Sequence, residues 1–210
     1  MLIGRQMTLV GNIHANLVFD RRTRILAAAI AKAIPPASRT VLDVGCGDGT
    51  IAALVMQIRP ELSVVGVDIL IRPDTKIPVQ PFDGIALPFD RDSFDVVMFV
   101  DVLHHTDDPG VLLKEAHRVA RGSVVLKDHT SDSLLSGPIL RFMDWVGNAH
   151  HGVILPYNYW PTTKWDTTFR QIGLNKEEWT RDLGLYPFPA SLVFERGLHF
   201  VARLNVGKAT

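Results

Sequence analysis

Three glycines stand within five positions directly after an apolar run, in the stretch VLDVGCGDGT at residues 41–50. Glycine is unfavourable inside regular structure, so this repeated use indicates a tight turn that lets a ligand approach the backbone. The spacing differs from the G-x-G-x-x-G turn that binds dinucleotides, and the lysine of a phosphate-binding loop is missing. Asp43 and Asp48 flank the turn and would repel a pyrophosphate. A carboxylate beside backbone N–H groups suits instead a ligand that carries both an ammonium and a carboxylate group.

A further carboxylate, Asp68, lies in the next apolar run, SVVGVDI at residues 63–69. A carboxylate at the end of a second strand can accept hydrogen bonds from both hydroxyls of a ribose, as it does in nucleotide-binding α/β folds. The glycine turn and Asp68 together therefore indicate a ligand that combines an amino-acid end with a ribose.

Histidines are concentrated in one part of the chain. Six of the eight are His104, His105, His117, His129, His150 and His151. An imidazole with a pKa near ~6.5 suits a general base at neutral pH. His104 and His105 follow the apolar run FDVVMFV, and His129 follows the run GSVVLKD, so these three are the candidate catalytic residues; His104 and His105 either act as the base or orient the loop. The histidine spacing matches no tight zinc pattern, and we expect no metal.

Apolar runs and helical periodicities alternate along the chain, and these elements must position the candidate residues. The runs predict strands at 40–44, 63–69, 77–83, 94–100 and 122–128. Helices are predicted at 17–33, 50–58, about 108–119 and 164–174. In the second helix, the spacing of Ile51, Leu54, Val55 and Ile58 predicts the buried face. Two final strands, KEEWTRDL and GLHFVARLN, are predicted to pair antiparallel.

Strands that are apolar on both faces and alternate with helices indicate a parallel sheet that is covered on both sides. We therefore predict an α/β fold: a Rossmann-like, doubly wound, mainly parallel sheet with an antiparallel edge strand and helices on both faces. The 210 residues form one domain. Its parts are an N-terminal helical segment (1–36), a cofactor-binding core (37–128), a substrate lid insertion (129–163), and a final helix with edge strands (164–210).

The amino-acid composition limits the classes of binding partner and the cellular compartment that we expect. Basic and acidic residues balance at 22 each, which disfavours nucleic acid as a partner. Cys46 is the single cysteine, so no disulfide framework exists and a reducing compartment is expected. No secretory signal and no apolar stretch of about 18 residues are visible, so we expect a cytoplasmic protein.

The ordered motifs DVGCGDG, VGVD, FDG and FDVVMFVDVLHH resemble those of class I S-adenosylmethionine-dependent methyltransferases. Among these enzymes, the chain is most similar to the small-molecule group (type 11) that includes quinone-biosynthesis methyltransferases. The resemblance covers residues 38–130, and more loosely the final strands. It implies S-adenosyl-L-methionine as the cofactor.

The resemblance also implies a set of cofactor contacts. The amino-acid end of the cofactor would contact Asp43, Gly45, Cys46 and Gly47. The ribose and adenine would contact Asp68, Ile69, Asp83 and Gly84. The methionine part and the sulfonium would lie beside Asp101 and Val102.

The insertion at 129–163 is rich in aromatic residues. It either packs a small core of its own on the sheet or closes as a lid over an apolar substrate, and both can hold for different residues. The candidate substrate contacts are Trp145, Asn148, His150, Tyr157 and Tyr159. The apolar lid and the basic cluster from Arg21 to Arg24 would allow a lipid-like substrate to be taken up during a transient contact with a membrane surface.

These features predict methyl transfer from S-adenosylmethionine to an oxygen or carbon of a small, apolar, aromatic or lipid-like molecule. The alternatives are a methyltransferase that acts on RNA, DNA or protein and a non-catalytic cofactor-binding protein of the same fold. An NAD-dependent oxidoreductase is disfavoured by the glycine spacing. The acceptor, the identity of a base and the oligomeric state stay open.

Overall fold

The protein is described here from a computed structural model, which covers residues 21–148 and 157–207 and gives only the backbone of residues 144–148. The described chain forms one seven-stranded sheet in the order β3-β2-β1-β4-β5-β7-β6. The strands are β1 (Thr40–Val44), β2 (Ser63–Asp68), β3 (Val79–Pro81), β4 (Phe94–Val100), β5 (Ala120–His129), β6 (Asn175–Thr180) and β7 (His199–Asn205). The pairs among β1 to β5 are parallel, and β7 runs antiparallel to both β5 and β6. The predicted α/β fold and the antiparallel final strands are confirmed.

Helices connect the strands. They are α1 (21–33 in the described range), α2 (Thr50–Ile58), α3 (Pro109–Val119), α4 (Ser136–Asn148), α5 (Thr162–Ile172) and the short α6 (Ser191–Phe194). One 3-10 turn, Leu103–His105, follows β4. The predicted positions of α2, α3 and α5 are confirmed, and α4 lies within the predicted insertion. None of the helices in the described ranges combines the length and apolarity that crossing a bilayer requires.

Each face of the sheet carries its own apolar core. Helices α1 and α2 cover one face, where Ile30 and Val55 pack with the strand residue Val41. Helices α3 and α5 cover the other face, where Leu113 and Trp165 are fully buried. Because both faces are covered, the inner strands read as continuous apolar runs in the sequence.

The buried face of α2 differs from the prediction. Ala52 and Val55 are fully buried, whereas Ile51 and Leu54 are only partly buried and Ile58 is 49% exposed. This helix carries alanines beside its larger apolar residues, so its apolar spacing alone does not single out one face.

The strand order places a crevice above the middle of the sheet. β1 pairs with β2 on one side and with β4 on the other, so the chain leaves these neighbouring strands in opposite directions. Ligands of open α/β sheets bind at such a switch point, beyond the carboxyl ends of the strands. The glycine turn follows β1, and His104 follows β4, so both lie at this crevice.

Helix α3 begins at the predicted cap. The Asp108 carboxylate accepts a hydrogen bond of 2.9 Å from the amide of Gly110, and Pro109 occupies the first helical position. We expect Asp108→Ala to lower the free energy of unfolding by about 1 kcal/mol, because an amide of the first turn loses its acceptor. Urea unfolding measures this change. The neighbouring exposed Asp107→Ala is the control, and an equal loss in both variants would contradict the capping role.

Candidate active site

The three glycines of the turn after β1 have different surroundings. All have positive φ angles, of 71° at Gly45, 59° at Gly47 and 77° at Gly49. A Cβ at Gly45 would lie 2.7 Å from both methyl groups of Val102, and one at Gly49 would lie 2.5 Å from Cγ1 of Ile77. These two glycines therefore allow neighbouring loops to pack closely. A Cβ at Gly47 would meet no atom within 4 Å among the described residues, so only Gly47 faces open space.

The backbone amides of Gly45, Cys46 and Gly47 are bonded within the protein. The amides of Gly45 and Cys46 donate to the carbonyl of Val67, at 2.8 and 3.3 Å. The amide of Gly47 donates to Oδ2 of Asp68 at 2.8 Å. The expectation that backbone amides of the turn hold the carboxylate of a ligand stays a prediction; in this conformation a strand carbonyl and the Asp68 carboxylate already accept from three of them.

Asp43 is a buried carboxylate with unmet bonding capacity. It is 3% exposed, and none of the described residues donates a hydrogen bond to its side chain. Burial, together with the charge of Asp68, raises the pKa of Asp43 to about 7. A cationic group placed here would restore the lost solvation of the carboxylate. The ammonium group of S-adenosylmethionine fits this requirement, so the residues present are compatible with the implied cofactor.

The predicted adenine contacts lie together on the far side of Asp68. Ile69 is 71% exposed, and its Cγ2 lies 3.4 Å from the place a Cβ on Gly84 would take. Ile85, the next residue, is 62% exposed. Large apolar side chains that stay uncovered beside a glycine form a surface onto which a flat ring can pack.

The carboxylates of Asp68 and Asp83 both hold turns. Oδ1 of Asp68 accepts from the amide of Leu70 at 2.9 Å, and Oδ1 of Asp83 accepts from the amides of Ile85 and Ala86 at 2.8 Å each. These backbone bonds lower the pKa of Asp83. The ribose role of Asp68 and the adenine role of Asp83 stay predictions. The bonds described here shape the turns in which both residues lie.

Asp101, directly after β4, is held between two cations. It has a φ of 57°, an unusual backbone conformation for a non-glycine residue. Its carboxylate forms ion pairs with the buried Lys127 and, at 3.1 Å, with Arg22 of α1. Burial favours the protonated acid, but Lys127 and Arg22 outweigh it and hold the pKa of Asp101 well below its usual value. Two positive charges thus compensate this carboxylate already, and its predicted place beside the sulfonium stays a prediction.

Lys127 is the residue that the sequence analysis missed. It is fully buried, and its ammonium group lies 3.3 Å from Nδ1 of His199. Nε2 of His199 lies 2.9 Å from the carbonyl of Phe194 and must donate to it, so Nδ1 accepts from Lys127. Burial lowers the pKa of Lys127, and the pair with Asp101 opposes that shift. The sequence feature that could have indicated this residue is the presence of a lysine inside the apolar run GSVVLKD.

His104 and Asp128 form a buried pair at the ends of β4 and β5. Nδ1 of His104 lies 2.7 Å from Oδ1 of Asp128, whose Oδ2 accepts from the amide of Leu103 at 3.1 Å. Burial would raise the pKa of Asp128, but His104 and His129 hold it well below the usual value. An ionised Asp128 only accepts, so Nδ1 of His104 donates and Nε2 carries the lone pair of the neutral ring.

The other candidate histidines adjoin this pair. The ring of His105 is centred 4.0 Å from that of His104, and the ring of His129 is centred 4.7 Å from it. Burial, and then the charge of Lys127, lowers the pKa of His129 well below its usual value. His129 is therefore a poor proton acceptor, and the catalytic roles of His104 and His105 stay predictions.

Asp101, His104 and His129 place potential metal ligands within 4.8 Å of one another. The Lys127 ammonium already pairs with Asp101, so the cluster contains a positive charge without any metal ion. The prediction that no metal is used thus has an electrostatic reason, and it stays a prediction.

Two of the five predicted substrate contacts can be located. The ring of Tyr159 stacks on that of His104, with centroids 5.6 Å apart, and the ring of Tyr157 lies 6.4 Å from that of Tyr159. The side chains of Trp145 and Asn148 and the whole of His150 lie outside the described residues.

Asn158 anchors the segment that carries these tyrosines. Its amide donates to the carbonyl of His104 at 3.2 Å, and its side chain donates to the carbonyls of Thr106 and Asp107 at 3.0 Å each. The end of the insertion is therefore bonded to the loop after β4, and Asn158 acts on the position of that loop.

The raised pKa of Asp43 makes the stability of the ligand-free protein depend on pH. Its pKa is about 7 when folded, against an ordinary 3.8. The folded protein holds this proton more tightly, so this contribution is complete below about pH 4, declines as the pH rises to about 7, and is then lost. We expect Asp43→Asn to raise the free energy of unfolding at about pH 8 by up to about 4 kcal/mol. Urea unfolding at several pH values measures the difference, which should shrink towards pH 4; a constant difference would contradict the assignment.

Comparison with known proteins agrees with this geometry. Residues 18–178 match the model of a family described as the methyltransferase domain. The chain is 34% identical over 141 residues to the demethylmenaquinone methyltransferase of Roseiflexus castenholzii, covering 62% of this chain and 57% of that protein. It is 31% identical over 137 residues to the 2-methyl-6-phytyl-1,4-hydroquinone methyltransferase of Synechocystis sp., covering 60% of this chain and 37% of that protein.

The chain thus spans about half the length of the curated relatives it matches. The solved complex between the Haloferax volcanii Trm112 methyltransferase activator and a methyltransferase contains a chain that shares this fold. The TM-score is 0.66 at 18% identity, and the match covers 90% of this chain and 92% of that one. Because the family model matches more than half of the chain, in the order and fold described above, the chain belongs to the class I S-adenosylmethionine-dependent methyltransferases.

Proposed function

We propose that this protein transfers a methyl group from S-adenosylmethionine to an oxygen or carbon of a small, lipid-like aromatic acceptor. The observation that carries the proposal is the buried Asp43 carboxylate near the end of β1, to which no described residue donates, together with the His104–Asp128 pair at the ends of β4 and β5. When bound, S-adenosylmethionine supplies an electrophilic methyl group. The chain has to hold the cofactor and the acceptor, exclude water and accept a proton.

The acceptor class is proposed from the relatives. One is named for demethylmenaquinone and the other for 2-methyl-6-phytyl-1,4-hydroquinone. The balanced charge of this chain disfavours RNA or DNA as an acceptor. We place the protein in the cytoplasm as part of the same proposal. It would contact a membrane surface transiently, because a lipid-like acceptor resides in membranes.

In this proposal, some residues of the site bind the cofactor and others transfer a proton. Asp43 pairs with the ammonium group of the cofactor, and Asp68 receives the ribose hydroxyls. Nε2 of His104 accepts the proton of the acceptor, while the Asp128 carboxylate fixes the tautomer and stabilises the imidazolium. His104 is 1% exposed beneath Tyr159 and His105, so one of these rings moves aside to admit the acceptor.

The cofactor assignment is tested through Asp68. We expect Asp68→Ala to weaken the binding of S-adenosylhomocysteine at least about tenfold, because the ribose hydroxyls lose their acceptor and the Gly47 amide loses its partner. Isothermal titration calorimetry measures the affinity. Asp74→Ala, which removes a nearby exposed carboxylate, is the control. Absence of binding by the unaltered protein would refute the proposed function.

The proton acceptor is tested through Asp128. We expect Asp128→Asn to lower kcat about a hundredfold, because a neutral amide does not stabilise the imidazolium of His104. The assay follows transfer of a labelled methyl group to a panel of hydroquinones, phenols and lipids. S-adenosylhomocysteine should bind this variant as it binds the unaltered protein, and exposed Asp107→Asn should keep full activity. An unchanged kcat in Asp128→Asn would exclude the pair from proton transfer.

A further inference from the structure

A cluster of exposed apolar side chains lies on α4, on α6 and on the segments that lead into them. We call it the apolar patch; its members are Leu134, Leu135, Phe142, Phe188, Leu192 and Val193. Leu134 is 100% exposed, and Phe188 is 79% exposed. The patch holds half of the large apolar side chains that are exposed in the described part of the chain. A concentration of this kind marks an interaction site more often than scattered single residues do.

The two halves of the patch meet each other and reach the candidate active site. The ring of Phe142 on α4 stacks on that of Phe194 on α6, with centroids 6.4 Å apart. Phe194 also contacts Tyr186 at 5.5 Å, and Tyr186 lies 5.9 Å from the ring of His199. His199 in turn bonds Lys127 within the buried ion network. The patch is therefore connected through aromatic contacts to the buried ion network that adjoins His129.

Cationic side chains border the patch. Arg21 donates to the carbonyls of Gly184 and Leu185, at 3.2 and 3.1 Å, which brings this part of α1 next to the segment that holds Phe188. Arg24 lies on the same side of α1, three residues further on. Arg141 on α4 and Arg196 after α6 are both exposed.

Most acidic residues of the same segments are engaged within the protein. Asp132 pairs with Arg181, and the Glu195 carboxylate accepts from the amide of Tyr186 at 2.9 Å. Asp182 is the one exposed acid of these described segments with no such bond. The border of the patch is therefore predominantly cationic.

We propose that the apolar patch and its arginine border form a docking surface for an anionic lipid bilayer. The apolar side chains gain by leaving water for the acyl region, and the arginines gain from anionic headgroups. This inference rests on the proposed function, because docking presents the acceptor side of the crevice to a membrane-dissolved acceptor. It adds the surface that makes the contact, which includes the segment 188–193 outside the predicted lid.

Co-sedimentation with vesicles tests the surface. The unaltered 210-residue chain should bind vesicles of phosphatidylglycerol more strongly than vesicles of phosphatidylcholine, and added salt should weaken the binding. We expect the double variant Phe188→Ser, Leu192→Ser to lose at least about tenfold in partitioning, because two exposed apolar side chains no longer enter the bilayer. Arg141→Gln should weaken only the phosphatidylglycerol binding. The control is Ile58→Ser, which removes an apolar residue on α2 that is 49% exposed and lies outside the patch.

Several outcomes would overturn the docking surface. They are equal binding to both vesicle types, unchanged partitioning of the double variant, or a change of that variant from dimer to monomer in light scattering. The last result would make the patch an interface between copies of the chain. Calorimetry with S-adenosylhomocysteine on the same samples separates the docking proposal from the proposed function. Retained S-adenosylhomocysteine binding without vesicle binding would refute the docking surface and leave the proposed function standing.

Discussion

The burial of the Lys127 ammonium group constrains the loops at the carboxyl ends of the parallel strands. Lys127 is completely removed from water, and a buried cation is tolerated only when opposite charge and hydrogen bonds surround it. Asp101 supplies the charge and His199 supplies the acceptor nitrogen. Asp101 meets Lys127 in a left-handed backbone conformation, and this conformation sets the direction of the loop after β4. The position of His104 on that loop therefore depends on a contact that it does not make itself.

The same ion network connects parts of the chain that differ in role. Arg22 extends it to α1, and His199 extends it to β7 and α6. Val102, the residue after Asp101, packs against Gly45 of the cofactor turn. The cofactor side and the acceptor side are thus joined through one short segment. We infer that a change on either side alters the geometry of the other through this segment.

Local patterns in the sequence were sufficient to predict the strands, the positions of α2, α3 and α5, and the glycine turn, but they did not predict the short α6. Each predicted feature depends on residues close together in the chain, as with Asp108 and Pro109 at the start of α3. The pairing of Lys127 with His199 could not be predicted, because the two residues are 72 positions apart and meet only through the antiparallel register of β5 and β7. The engagement of the turn amides was also beyond local patterns, because the side chain of Asp68 turns back onto Gly47.

The insertion of β7 between β5 and β6 has a consequence for how this domain can vary. The strand that holds His199 comes last in the chain, and it lies beyond residues 18–178, the part that the family model covers. The buried Lys127 of β5 depends on His199 of β7 for a hydrogen bond, so a substitution in one strand acts on the other. A hybrid whose β7 lacks His199 would leave the Lys127 ammonium paired with Asp101 but without its acceptor nitrogen, so these two strands are expected to vary together.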